Sequence, residues 1–183
     1  MLVAEELRKE NIAEYLLYMW QVEDLIRANG FDVDRLVSVS GGDTPDSASA
    51  QSLREWYGGL IEMMTLEGRR NKGHLQINDN ILILMSDLHD RIMKSEGCDE
   101  YKELYYNALP MIVGYRAKSD CLEKGELESC FEFMYGVWML RLQGKTLSAG
   151  TGDAVERVSA FLARLAMYYK MDRSGQLDLE KEK

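Results

Sequence analysis

ENIAEYLLYMWQVEDLIRANG, residues 10–30, decides how this chain is to be read. Ile12, Leu16, Met19 and Ile26 fall on one helical stripe, with Tyr15, Val22 and Leu25 beside it. The pattern predicts one helix from about Glu5 to Asn29, and Gly30 is placed to stop it in the left-handed conformation. Glu23 breaks the rule by lying on the apolar stripe, with Trp20 and Arg27 at helical contact distance. An acid on such a face must pair, protonate or meet a ligand.

The same period runs through most of the chain. A second helix is expected from about Ser47 to Glu67, with Leu53, Tyr57, Leu60 and Met64 aligned. A third carries Ile77, Ile81, Leu84, Leu88 and Ile92 and ends near Ser95–Gly97. A fourth begins near Asp99 and contains Pro110, which should bend it and leave the Tyr106 carbonyl without its usual donor. A fifth, about Gly125 to Gln143, is apolar nearly all the way round, which places it at the centre of the others. A sixth starts between Ser148 and Asp153, where D-A-V-E at 153–156 has capping-box spacing. FDVDRLVSVSGGDTPD, residues 31–46, reads as a loop with a helix start at Thr44–Pro45. The expectation is an all-α, single-domain bundle of about six helices over residues 1–171, the fifth helix central, with a charged and frayed tail over 172–183.

The chain holds 22 basic and 31 acidic residues, a net charge of −9. That balance disfavours general nucleic-acid binding and docking on anionic lipid. Cys98, Cys121 and Cys130 are odd in number and lack metal-ligand spacing, which fits a reducing cytoplasm. The first residues, MLVAEELRKEN, carry acids where a signal peptide needs cations and an apolar run. No apolar stretch is long enough to span a bilayer, so no membrane partner is expected.

NIAEYLLYMWQVEDLIRAN (11–29), REWY (54–57), KGHLQIN (72–78), DLH (87–89), ALPMIV (108–113), RAKS (116–119) and LRLQ (140–143) resemble a family of uncharacterised all-helical proteins of Bacteroidetes-type bacteria, described as a domain of unknown function. The resemblance spans nearly the whole chain. It implies a single-domain cytoplasmic protein and brings no activity, cofactor or catalytic residue.

Candidate chemistry gathers in two places. EGRRNKGHLQINDN, residues 67–80, is a basic island in an acidic chain. Arg69, Arg70, Lys72 and His74 make a candidate anion site, with Gly68 and Gly73 allowing close backbone approach and the next helix directing its N-terminus there. The simpler reading is structural: the cations offset the end of helix two, and His74, Gln76 and Asn78 cap helix three or bond the loop. On that reading the negative charge comes from Glu67, Asp79 and the helix carbonyls. Arg69-x4-His74 also matches the loose Arg–His spacing of HEPN-type helical ribonucleases, where such a pair would stabilise a phosphorane and move a proton.

The second place is Glu23. Arg27 is the nearest sequence partner, and Arg116, Tyr105 or His89 would complete a buried polar clasp, or line a pocket for an anion or amide. Neither histidine stands in a Glu-x-x-His element, so no metal and no cofactor are expected. Nucleophile elbows, phosphate loops and dinucleotide fingerprints are absent from the sequence. The leading expectation is a non-enzymatic helical protein acting on a protein partner or a small anionic ligand, with a homodimer left open and the HEPN-like ribonuclease as the rival.

Overall fold

In the computed structural model, residues 3–41, 48–118 and 124–179 are described. The described residues form eight helices and no strand: α1 Val3–Glu10, α2 Ile12–Ala28, α3 Val33–Val39, α4 Ala48–Leu66, α5 Gln76–Lys94, α6 Asp99–Lys118, α7 Glu126–Leu142 and α8 Ala149–Arg173. None of them is long and apolar enough to cross a membrane.

The protein is thus all-α, but with eight helices rather than six. One extra helix comes from a break at Asn11, where the sequence predicts an unbroken helix. The Asn11 Oδ1 accepts from the N–H groups of Ala13 and Glu14, and its Nδ2 donates to Glu14. N-I-A-E is therefore an N-cap with a returning glutamate, which starts α2 afresh. The other is α3, in the segment read as loop. Asp32 caps it by accepting from Arg35 N–H, and Leu36 and Val37 are buried. The helix start expected at Thr44–Pro45 lies outside the described residues. D-A-V-E at 153–156 does not begin α8; Ser148 is the cap, accepting from Thr151 N–H, while Asp153 sits inside the helix and pairs with Arg157.

The chain divides into two compact units. The first comprises residues 1–17 and 81–183. Its core is built by α6 and α8, with Tyr101, Phe131, Phe161, Leu165 and Tyr168 buried. Tyr101 packs on Phe161 at 5.5 Å and edge-on to Tyr168 at 5.6 Å between ring centres. α7 packs on both α6 and α8, yet it is not enclosed as its apolar circumference suggests. Leu127, Cys130, Phe131 and Val137 are buried, whereas Phe133, Tyr135 and Trp138 are only partly covered and Leu142 is exposed. Amphipathic rings can cover a core with one face and meet water with the other. α8 carries the longer buried run, from Ala154 to Tyr168. α6 continues through Pro110, and both Pro110 and Tyr106 are exposed residues.

The second unit is Tyr18–Asn80. It holds most of α2, all of α3 and α4, the island loop and the first turn of α5. Val22, Ile26, Leu36, Tyr57, Leu60, Met64 and Leu75 are buried. Ser40 and Tyr57 share a 2.6 Å hydrogen bond, and Arg54 pairs with Asp34 at 3.1 Å, so α3 is tied to α4.

Candidate functional site

The island begins where α4 ends. Gly68 has φ +68°, the Gly68 N–H donates to the Thr65 carbonyl, and the Arg69 N–H reaches back to Met64 at 2.7 Å. This double closure turns the chain sharply out of the helix. The loop then returns to α2, so that α5 begins beside Glu23.

Glu23 is fully buried. One carboxylate oxygen accepts from the Leu75 N–H at 3.0 Å and the Asn78 Nδ2 at 2.7 Å; the other meets His74 Nδ1 at 2.7 Å. The His74 ring stacks on Trp20, with centres 4.1 Å apart and planes 10° from parallel. The buried Asn78 Oδ1 has no partner, so the bond to Glu23 sets that amide's orientation. Thus the two candidate places of the sequence are one: Glu23 is the anion that the N-terminus of α5 holds. A helix N-terminus with two side-chain donors satisfies a buried carboxylate without burying a guanidinium as well.

The expected partners of Glu23 bond elsewhere. Arg27 binds Asp24 at 2.8 Å and donates to the carbonyls of Arg69 and Gly73. Arg116 donates to the Lys124 carbonyl. Tyr105 donates to Glu126, and His89 shares a hydrogen bond with Tyr101.

The island's own charges are mostly answered within the loop. Arg69 pairs with Asp79 at 3.4 Å and lies against Gly73, where an added Cβ would meet its Nη1 at 2.8 Å. Arg70 donates to Thr65 Oγ1 and stacks on Phe31 at 3.8 Å from the ring centre. Glu67 accepts from the Gln76 N–H at 2.7 Å, closing a second free donor at the start of α5. Burial pushes the Asp79 carboxyl up, while Arg69 and His74 pull it back. His74 and Asn78 bond the Glu23 carboxylate, where the structural reading of the sequence had them capping helix three or bonding the loop. Of the island's cations, Lys72 alone stands exposed without a partner among the described residues. Arg69 and His74 each have a carboxylate of their own, Asp79 and Glu23.

A different group of cations is open. In the first unit, a cleft of about 500 Å³ is lined by Arg8 and Lys9 at the end of α1 and by Lys170 and Arg173 at the end of α8. Lys170 binds Glu10 at 2.7 Å and holds its carboxyl below the usual range. Arg8 rests over the Tyr15 ring at 5.8 Å. Among the described residues no carboxylate or carbonyl pairs with Lys9 or Arg173. Cations at a helix end offset its dipole, but that end amounts to roughly half a charge. The end of α1 and the start of α2 adjoin at Asn11 and oppose each other, leaving α8. Four cations less Glu10 give +3, so about 2.5 positive charges remain after that correction. Sequence reading missed this site because its cations lie some 160 residues apart, as Glu10 and Lys170 do.

A second cleft of about 500 Å³ lies among α5, α6 and α7, lined in part by His89, Asp90, Tyr105 and Glu126. Tyr105 donates to Glu126 at 2.6 Å, and burial together with that carboxylate pushes its phenol pKa up. Burial lowers the His89 pKa, with Asp90 and Glu126 acting against it. Nearby Cys130 is pushed up to about 12 by burial, which makes it an inert thiol. Among the described residues no cluster of histidine, cysteine and carboxylate side chains can hold a metal ion.

No curated protein and no solved structure matches the chain. The family described as a domain of unknown function, DUF4924, matches residues 1–176. With a match that spans nearly its whole length, the protein belongs to the DUF4924 family.

Proposed function

We propose that the protein binds a small anion in the cleft between the ends of α1 and α8. The observation that carries this reading is that Lys9 and Arg173, beside Arg8 and Lys170, have no partner among the described residues, in a chain whose net charge is −9. Such a chain repels anions over most of its surface, so a concave positive patch is selective by contrast. The island supports binding less well, because Glu23 and Glu67 already occupy the donors at the start of α5.

Thermal melting at low ionic strength tests the proposal with phosphate, pyrophosphate and citrate. A ligand at one hundred times its Kd stabilises by about 2.7 kcal/mol. We expect at least one of the three to raise the melting temperature of the parent and of Arg69→Ala, and to leave Lys9→Glu/Arg173→Glu unshifted. A shift that survives the double reversal, a shift lost in Arg69→Ala, or no shift in the parent overturns the reading.

A further inference from the structure

The same cleft is lined by an aromatic side chain, Tyr169 of α8. Most of the structure's tyrosines are committed. Tyr57 bonds Ser40, Tyr101 bonds His89 and Tyr105 bonds Glu126. Tyr168 is buried against Tyr101. Tyr169, the next residue, lines the cleft half-buried and makes neither a hydrogen bond nor a ring contact with any other described residue. A tyrosine presents a large apolar ring face together with a polar hydroxyl tip.

Ile12 and Ala166, both 4% exposed, give the cleft an apolar floor, and the cations stand around it. Its volume of about 500 Å³ lies in the range that holds organic ligands. That is more than ten times the share of liquid volume of a water molecule, roughly 30 Å³, and far more than a bare inorganic anion fills. The cleft is therefore built for two chemistries at once: a negative group among cations, and a flat apolar body against a free ring.

We propose that the ligand is a phosphate monoester of a planar ring compound, with the phosphate among Lys9, Lys170 and Arg173 and the ring on Tyr169. The inference rests on the anion-binding reading and adds the ligand's second half. A phosphate monoester carries roughly −1.5 to −2 charges at neutral pH, close to the positive charge the cleft has unanswered. A ring stacked on an aromatic side chain typically adds on the order of tenfold or more in affinity.

Calorimetry on the full chain separates the two readings with four probes: inorganic phosphate, ribose 5-phosphate, phenyl phosphate and adenosine 5′-monophosphate. The ring-bearing pair should bind about tenfold tighter than the ring-free pair. Tyr169→Leu should abolish that preference and leave inorganic phosphate binding unchanged, while Tyr169→Phe keeps it. A readout that needs no variant is the proton spectrum of phenyl phosphate, whose ring signals should move upfield on binding to the parent. Equal affinity for ring-bearing and ring-free phosphates, a preference that survives Tyr169→Leu, or unshifted ring signals overturns the inference and leaves the anion reading standing. If none of the four binds, the inference fails, and the anion reading fails with it when pyrophosphate and citrate also leave the melting temperature unshifted.

Discussion

Two groups of cations in this protein look alike on paper and behave in opposite ways. Arg69, Arg70, Lys72 and His74 lie within six consecutive residues, and all but Lys72 are taken up inside the fold. Arg8, Lys9, Lys170 and Arg173 come from opposite ends of the chain, and two of the four have no partner among the described residues. The first group is dense in sequence because one tight loop must tie α4, α2 and α5 together. The second is dense only in space. Charge available to a ligand is what remains after internal partners are subtracted, and that remainder cannot be read from local density.

The sharpest way to break the comparison is through Glu23. If the island is a clasp, Glu23→Ala strands the Leu75 N–H, the Asn78 amide and His74 together. An unsatisfied buried polar group costs about 1–3 kcal/mol, and the losses within one network are not additive. We expect a loss of about 3 kcal/mol, read from the urea midpoint at an unchanged slope. A loss below about 0.5 kcal/mol, the scatter of ordinary surface changes, would mean that the carboxylate is not what anchors α5.

Glu23 also shows how far the sequence reaches. Its place on the Met19–Ile26 stripe was enough to require burial and a partner. The partner's identity depends on where a nine-residue loop, 67–75, returns the chain, and no stripe encodes that path. Helix existence was legible wherever the 3.6-residue period ran on for several turns. Asn11 was missed because the apolar stripe continues across it, although N-I-A-E carries the capping spacing in plain view. α3 was missed because it spans only Val33–Val39, too short for a period to declare itself. The basic cleft was out of reach altogether, since its two halves meet only through tertiary folding.

A smaller effect distinguishes the island loop from an ordinary helix end. Gly73 and Gly144 have similar positive φ angles, +80° and +69°. A Cβ at Gly144 meets nothing, whereas at Gly73 it would press on the Arg69 guanidinium. Alanine in the left-handed region costs about 1–2 kcal/mol in either place. Gly73→Ala should cost about 1 kcal/mol more than Gly144→Ala, because Arg69 must leave Asp79 or the backbone must shift. Equal costs in chemical denaturation would show that Arg69 moves freely and is not held in the clasp.

The first unit offers a pH test of its own. Burial holds the His89 pKa below its ordinary value of 6.5. The folded state therefore resists protonation more than the unfolded chain does. Stability from this group is complete above pH 6.5 and is lost as pH falls through the unfolded value toward the lower folded one. Relative to the parent, His89→Gln should lose less stability between about pH 6.5 and pH 5. Parallel pH–stability curves for the two proteins would show that His89 is solvated.

The smallest expected effect concerns the cleft itself. Unpaired cations contribute little to the fold. Those near the end of α8 gain about 0.3–1 kcal/mol from its dipole, and they lose a comparable amount by repelling one another across the cleft. Replacing Lys9 and Arg173 together by glutamine should leave unfolding stability within about 0.5 kcal/mol of the parent. Arg27→Ala, by contrast, removes bonds to the Arg69 and Gly73 carbonyls and should cost about 1.5–3 kcal/mol. The contrast inverts if the assignment of the two regions is wrong. A costly Lys9→Gln/Arg173→Gln variant would mean that those cations hold α1 on α8, and a silent Arg27→Ala would mean that the loop keeps its path without the clasp. Urea midpoints of the two variants, measured at low salt where surface charges are least screened, decide between these outcomes.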